Sequence, residues 1–248
     1  MAGKSTHPPT IADLYRCLED LARHRNFMQV FDDLLTIELC CMALQTEEEL
    51  YLETVGRYRP EQVREEWPRA VGLLHALYAY HVGVGGAWYD ALGQVFEEYT
   101  SRRGASAMGQ FFTPPGVCDL MARITTAGPA ELDSLVCDPS GGSGRGLLAH
   151  CNAYPTNRLR CTYVSQDLDR MCVKMAAINM LMHGMAGYSI HCNTLSLEVY
   201  GGWRVYLGET GLGVRKLDTE RARAVLVGVK QDQPAAPARQ GAAQLVMF

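Results

Sequence analysis

The sequence predicts an α/β protein in which a helical bundle precedes a sheet of parallel strands wrapped by helices. Helical periodicity with little strand signal runs through residues 1–103. From Gly104 onward, apolar runs of strand length alternate with helix patterns, which is typical of a parallel sheet. We therefore expect a helical domain over 1–103, a sheet domain over 104–230 and a disordered tail over 231–248.

Two apolar stripes and one capping signal indicate four or five helices in the first domain. One stripe follows the Pro8-Pro9 stop, and the other precedes the charged stop at Arg102-Arg103. Thr46 followed by Glu49 has the spacing of a capping box that opens a helix. The stripes consist of Ile11, Leu14, Tyr15, Leu18 and Ala22, and of Trp88, Leu92, Val95, Phe96 and Tyr99.

In the second domain we expect strands and helices to alternate. The apolar runs predict strands at 135–137, 161–164, 188–191 and 224–227, with helices near 146–154 and 169–183. The segment 231–244 is rich in Gln, Pro and Ala and has no periodicity, which predicts the disordered tail.

The composition excludes several classes of protein. The chain of 248 residues carries a net charge of −4 and has no apolar run long enough to cross a membrane. The net charge is −6 over residues 1–103 and +2 over 104–248, so neither half would hold nucleic acid by charge alone. Nine scattered cysteines without a Cys-x-x-Cys pair predict free thiols in a reducing cytoplasm, and no histidines have metal-site spacing with them.

The strongest local signal is the glycine-rich segment DPSGGSGRG at residues 138–146, between an expected strand and an expected helix. Glycines let the backbone approach a ligand closely, and the amides at a helix N-terminus favour an anion such as a carboxylate. The spacing fits neither a nucleoside triphosphate loop nor a dinucleotide fingerprint, which disfavours both ligands. The alternative is a structural tight turn.

An acidic residue also closes the next expected strand, in the segment QDLD at 166–169. In a sheet of this topology such a carboxylate points at ribose hydroxyls. The alternative role for Asp167 or Asp169 is the N-cap of the following helix. Together with the glycine-rich segment, this motif favours a nucleoside-type ligand.

Five motifs in order resemble those of adenine-N6 DNA methyltransferases, and most of all the modification subunit of type I restriction-modification systems. They are GQFFTP at 109–114, DPSGGSGRGLL at 138–148, QDLD at 166–169, NMLMHG at 179–184 and NTL at 193–195. The segment DALGQVFE at 90–97 is similar to the helix that leads into the first motif. The resemblance covers residues 88–195. It implies an N-terminal helical domain, a short Rossmann-like methyltransferase sheet and S-adenosylmethionine (SAM) as cofactor.

The resemblance also implies roles for individual residues. GQFFTP would embrace the methionine end of the cofactor, Asp138 and the loop 141–146 would lie under its carboxylate and sulfonium, and Asp167 would take the ribose hydroxyls. Asn193 stands where the family usually has Asp, and its side-chain carbonyl can accept a hydrogen bond from the adenine amine. The implied cofactor-binding residues are Gln110, Phe111, Phe112, Thr113, Pro114, Asp138, Ser140, Gly142, Ser143, Gly144, Asp167 and Asn193.

One motif of the family is missing. These enzymes hold the flipped target adenine with an Asn/Asp-Pro-Pro-aromatic loop after the fourth strand, and neither Asn-Pro-Pro nor Asp-Pro-Pro occurs in this chain. The positional counterpart is GVKQ at 228–231, after the expected strand 224–227, and it has neither a proline nor an aromatic ring. No catalytic residue is therefore recognisable.

Three functions follow from these observations. The first is a SAM-binding protein of the adenine-N6 DNA methyltransferase family that is degenerate or depends on a partner for DNA contact and catalysis. The second is a non-catalytic regulatory or assembly subunit that keeps the fold and binds a protein partner. The third, methylation of a small molecule, is disfavoured by the GQFFTP motif.

The last five residues, QLVMF at 244–248, resemble the Gln-Leu-x-Leu-Phe peptide by which bacterial proteins bind the DNA polymerase sliding clamp. A flexible tail that ends in apolar anchors is costly to leave in water without a receptor. The alternative is that residues 245–248 fold back onto the surface of the protein itself.

Overall fold

The computed structural model describes residues 8–43, 46–83, 87–102, 111–126, 128–208, 211–227 and 246–247. The chain divides into two compact units, of residues Met1–Cys41 with Glu47–Phe112, and of residues Met42–Thr46 with Thr113–Phe248. The first unit is helical and the second contains the sheet. The expected α/β fold class, helices followed by a sheet, is confirmed, but the sheet is mixed rather than wholly parallel.

The helices of the first unit begin after the proline stop. Thr10 caps the first of them in a capping box, in which its hydroxyl accepts the amide of Asp13 and the Asp13 carboxylate accepts the amide of Thr10. No helix in the described ranges is long and apolar enough to cross a membrane. The helices are α1 (Ile11–Leu21), α2 (Phe27–Met42), α3 (Glu48–Val55), α4 (Trp67–His81) and α5 (Ala91–Arg102), and a π-helical segment, Gln62–Glu66, leads into α4.

The capping box expected at Thr46 and Glu49 is wrong. Helix α3 begins at Glu48 with Glu47 at its N-cap, and no side chain caps the helix there. The Thr46 hydroxyl instead donates to the carbonyl of Ala43, 2.9 Å away. A threonine hydroxyl can form a hydrogen bond with the backbone before it or after it, and here it bonds to the backbone of the preceding turn.

The core of the helical unit is aliphatic and aromatic, and it also encloses the carboxylates of Asp33, Glu38 and Asp90. Asp33 is 1% exposed, and it accepts hydrogen bonds from the Tyr58 hydroxyl at 2.7 Å and the Arg57 guanidinium at 2.9 Å. A buried charge is tolerated when it is paired in this way. The fully buried apolar side chains include Leu14, Leu18, Phe31, Leu34, Leu74, Leu77, Leu92 and Phe96.

The sheet unit is built on three parallel strands. Each expected strand at 135–137, 161–164 and 188–191 is confirmed, and each is longer by one to three residues at its ends. The elements are α6 (Pro115–Thr125), β1 (Ser134–Asp138), α7 (Arg145–Ala153), β2 (Cys161–Asp167), α8 (Arg170–Met182) and β3 (Gly187–Asn193). Strands β1, β2 and β3 lie side by side, so their carboxyl ends meet at one edge of the sheet.

An antiparallel hairpin that the sequence reading missed extends the sheet beyond β3. It consists of β4 (Glu198–Gly208) and β5 (Gly211–Leu217), with β4 antiparallel to β3 and β5 antiparallel to β4. The sequence did not predict these strands because glycines interrupt the alternation of apolar and polar residues that is typical of a strand. They are Gly201, Gly202, Gly208, Gly211 and Gly213.

The strand expected at 224–227 is wrong, because these residues end a helix, α9 (Thr219–Val227). Asp218 starts that helix, since its carboxylate accepts the amide of Arg221 at 2.8 Å and its carbonyl accepts the amide of Ala222 at 3.0 Å. A short apolar run cannot by itself be assigned to a strand or to a helix. The segment 228–231 therefore follows a helix, and it lies outside the described residues.

A two-residue strand near the end of the given sequence, β6 (Val246–Met247), lies beside β1, on the side of the sheet opposite the hairpin. It pairs in parallel with Val136 and Cys137 of β1, which gives the strand order β5-β4-β3-β2-β1-β6. This pairing agrees with the alternative in which the terminal peptide folds back onto the protein. Nothing in the structure supports binding to a sliding clamp, and Gln244, Leu245 and Phe248 lie outside the described residues.

A histidine pairs with a buried carboxylate in the helical unit. Nε2 of His75 in α4 lies 2.8 Å from Oε1 of Glu38 in α2, and the Glu38 side chain is fully buried. The hydrogen bond to Glu38 raises the pKa of His75 above its ordinary value of 6.5, although desolvation opposes the shift.

We expect this pair to make stability depend on pH. A histidine whose pKa is higher in the folded state stabilises the protein below its unfolded pKa, and this contribution is lost as the pH rises through the folded pKa. The difference in unfolding free energy between the wild type and His75→Gln should therefore be larger at about pH 6 than at about pH 9 in urea titrations. An equal difference at both pH values would contradict the assignment.

Candidate cofactor site

The residues of the candidate site lie at the edge of the sheet where the parallel strands end. Asp138 is the last residue of β1, Asp167 ends β2 and Asn193 ends β3. In open α/β sheets, ligands bind outside the carboxyl ends of the strands. The chain passes from Asp138 through residues 139–144 directly into α7.

This glycine loop, residues 139–144, is fastened to the end of β2. The amide of Gly141 donates to the carbonyl of Gln166 at 2.9 Å, and the amide of Gly142 donates to Oδ2 of Asp167 at 2.9 Å. Within the loop, the amide of Gly144 donates to the carbonyl of Gly141 at 2.7 Å. The loop is therefore a tight turn, which is the alternative that the sequence left open. It is also held beside the carboxylates of Asp138 and Asp167.

Two positions in the loop require glycine. Gly144 has a φ of +93°, a left-handed conformation that side chains rarely adopt, and a Cβ there would lie 3.4 Å from Ala176 of α8. A Cβ on Gly141 would collide with the hydroxyl of Ser165 in β2. The small residues on both sides of this contact let the loop lie directly against the strand end and the helix.

Asp138 is a buried acid with a perturbed pKa. The residue is 7% exposed, and its Oδ1 accepts a hydrogen bond from the amide of Ser140 at 3.1 Å. Burial raises the pKa of Asp138 to about 6, the hydrogen bond from Ser140 lowers it, and the nearby charge of Asp167 raises it further. Two neighbouring carboxylates make this end of the sheet electronegative, so it favours a cationic group.

Asp167 connects the loop to the next helix and keeps capacity for a ligand. Its Oδ2 accepts the Gly142 amide, and its Oδ1 accepts the amide of Asp169 at 2.8 Å. Each carboxylate oxygen can accept a second hydrogen bond, so a diol could bind to the pair. For Asp169 the N-cap alternative is confirmed, because its side chain accepts the amide of Met171 at 2.7 Å.

Two buried side chains that the sequence reading did not assign support the site. The amide nitrogen of Asn179 in α8 donates to the carbonyl of Ser143 at 2.7 Å and fixes the loop from behind. The guanidinium of Arg145 donates to the carbonyl of Thr113 at 3.3 Å and ties the GQFFTP segment to the start of α7. Both residues lie inside motifs that carried the resemblance, but only the folded chain shows what they contact.

The GQFFTP segment is distributed over both units. Gln110 lies outside the described residues, whereas Phe111 is 77% exposed and Phe112 packs against Phe96 in the helical unit with ring centroids 5.1 Å apart. Thr113 and Pro114 belong to the sheet unit, where Pro114 immediately precedes α6.

Asn193 uses its side-chain oxygen locally. Oδ1 accepts the amides of Leu195 at 3.0 Å and Ser196 at 3.1 Å, which closes a turn after β3. Because an amide oxygen has two lone pairs, the atom expected to accept from the adenine amine already serves two donors. The Nδ2 group is the part of Asn193 suited to a ligand, as a donor to a ring nitrogen.

We expect replacement of Gly144 by alanine to destabilise the sheet unit by about 1–3 kcal/mol, because the new residue would be held at positive φ. Gly128→Ala is the matched control, since a Cβ at Gly128 meets no atom within 4 Å. That control should change stability by less than about 0.5 kcal/mol in urea unfolding. Equal effects of the two substitutions would contradict the left-handed geometry of the loop.

Comparison with known proteins adds a match to a family model and a likeness to solved structures. The model of the N-6 DNA Methylase family matches residues 87–200, a little under half of the chain. The fold is similar to that of the type I restriction-modification system methyltransferase subunit from Streptococcus thermophilus, with 20% sequence identity and a TM-score of 0.36. That alignment covers 73% of this chain and 38% of the other, so this chain spans well under half of the length of that subunit.

The structural likeness is too low to carry an argument, and the relationship rests on the sequence match. The matched segment includes the glycine loop, both strand-ending carboxylates and Asn193. The resemblance derived from the motifs is confirmed over this segment: residues 87–200 match the model of the N-6 DNA methylase family.

Proposed function

We propose that this chain binds SAM at the carboxyl ends of β1 and β2 and serves in the methylation of adenine N6 in DNA, with a partner required for catalysis. The observation that carries this proposal is the glycine loop fastened to Asp167 beside the buried Asp138. This arrangement lies inside the segment that matches the N-6 DNA methylase family.

The groups at the strand ends fit SAM. The Asp167 carboxylate has one acceptor direction left on each oxygen, which suits the two ribose hydroxyls. Asp138 is ionised above its pKa of about 6 and would attract the positive charge of the sulfonium or ammonium group. When bound, SAM supplies the activated methyl group. Thr113, held by Arg145, would line the methionine end, and Nδ2 of Asn193 would donate to the adenine ring.

Dependence on a partner is supported by the part of the sheet beyond β1. Within the described residues, β6 pairs with two residues of β1, whereas β2 pairs with all of β1 from Ser134 to Asp138. A strand added in parallel at that edge would end beside Asp138, so the loop after it would reach the position where a methyl acceptor must approach. An acceptor-binding loop has no recognisable counterpart in the sequence.

Helix α6 presents an apolar face that also supports a partner. Val117, Leu120 and Ile124 are 44%, 56% and 73% exposed, and their spacing places them on one side of the helix. The opposite side carries the buried Cys118 and Ala122. Exposed apolar side chains grouped in this way mark interaction surfaces. The same observation favours the second candidate function, a non-catalytic assembly subunit, so the two functions must be separated by experiment.

The cellular setting follows from the family and the thiols. We propose a role in a restriction-modification system and a cytoplasmic location. All nine cysteines are free thiols, which agrees with a reducing compartment.

We expect calorimetric titration to detect SAM binding at neutral pH, and Asp167→Asn to weaken it by at least about tenfold, because charged hydrogen bonds to the ribose are lost. Asp169→Asn is the matched control: it removes a carboxylate two residues away and keeps an N-cap side chain, so affinity should stay within about twofold. Binding should also weaken as the pH falls below about 6 and Asp138 becomes protonated. Absence of binding in the wild type would overturn the cofactor assignment.

Methyl transfer should require a second component. Plasmid DNA isolated from cells that express this chain alone should contain no methyladenine above the vector control, because the acceptor loop is missing. DNA from cells that co-express this chain with the proteins encoded beside it should contain methyladenine, and Asp167→Asn should abolish that signal. Methyladenine produced by the chain alone would contradict partner dependence, whereas SAM binding without methylation in either case would favour the assembly subunit.

A further inference from the structure

A cleft in the helical unit concentrates positive charge in a part of the chain that is otherwise acidic. Its volume is about 780 Å³, and it lies between the end of α1, the turn that follows, the π-helical segment and the start of α4. The charged residues that line it are Arg23, Arg25, Arg59 and Arg69, with Asp20 and Glu66 as the acids. Residues 1–103 together carry a net charge of −6, so this cleft is a local reversal of charge.

Arg25 is positioned by contacts within the unit. Its guanidinium lies over the ring of Tyr58, 4.6 Å from the centroid, and donates to the carbonyl of Arg57. The Tyr58 ring is itself fixed by the bond from its hydroxyl to the buried Asp33 carboxylate, at 2.7 Å. An arginine held in this way loses little conformational freedom when it binds an anion.

Arg59 and Arg69 supply the available charge. Both residues are exposed. Among the described residues, no carboxylate lies within 4 Å of either guanidinium to form an ion pair. Arg23, by contrast, pairs with Asp20 at 2.9 Å. Guanidinium groups bind phosphate oxygens in a bidentate manner. Because the arginines come from separate segments around an open cleft, they suit a chain of phosphates better than one enclosed anion.

We propose that this arginine cleft binds the phosphodiester backbone of double-stranded DNA. The inference rests on the proposed function for the choice of DNA as the anion. Contacts to phosphates fix a protein on the duplex without reading its sequence, so the cleft would contribute affinity and leave target choice to other surfaces.

The test is fluorescence anisotropy of the full chain with a labelled duplex of about 30 base pairs at several salt concentrations. Arg59→Ala combined with Arg69→Ala should lower affinity by about tenfold and reduce the slope of log K against log salt by about 2. The matched control is Arg64→Ala combined with Arg102→Ala, which removes two exposed arginines of the same unit that pair with Glu61 and Glu98 outside the cleft. It should change affinity by less than about twofold.

Three results would overturn the proposal. The first is no binding of the duplex at low salt, and the second is an equal loss of affinity in the two double variants. The third is a cleft variant that no longer binds polyglutamate, an acidic polypeptide, but still binds the duplex normally. SAM titration of the same variants separates this inference from the proposed function. Retained SAM binding with lost DNA binding supports the cleft, whereas absent SAM binding with normal DNA binding would remove the cofactor assignment and leave the cleft intact.

Discussion

The carboxylate of Asp167 holds the candidate site together. One oxygen fixes the glycine loop through the amide of Gly142, and the other fixes the turn into α8 through the amide of Asp169. Helix α8 then returns to the loop, since Asn179 donates to the carbonyl of Ser143. The ends of two strands, the loop and the helix are thus one hydrogen-bonded assembly. This assembly holds the loop so close to Ser165 and Ala176 that there is no space for a Cβ on Gly141 and little for one on Gly144.

Charge is distributed so that the two units present opposite signs at their candidate binding surfaces. In the sheet unit, burial and the charge of Asp167 keep Asp138 close to neutrality at moderately acid pH and make it an anion near neutral pH. In the helical unit, the arginine cleft opposes a net negative background. The charge at each surface suits the ligand proposed for it, SAM in the sheet unit and DNA in the helical unit, although the chain as a whole is not basic.

The strand order of the sheet bears on the proposal that this chain needs a partner. Its parallel part consists of β1, β2 and β3, and the hairpin of β4 and β5 extends it on the side away from β1. Among the described residues, the edge of the sheet at β1 pairs with the two residues of β6. An edge with unpaired backbone groups is ready to accept a further strand. This edge is where the proposed partner would add its strand.

The sequence by itself determined the helical stripes, the three parallel strands and the motifs that carry the family relationship, because periodicity and glycine spacing are local properties. It did not determine the hairpin, whose glycines break the alternation, or the helix at 219–227, whose apolar end has no period of its own. Only the tertiary structure decided that Arg145 contacts Thr113 and that the side-chain oxygen of Asn193 closes a turn. It also decided that arginines from two regions of the sequence, 23–25 and 59–69, line one cleft. These are contacts between segments that are separated along the chain or compete for one acceptor, and their geometry exists only after folding.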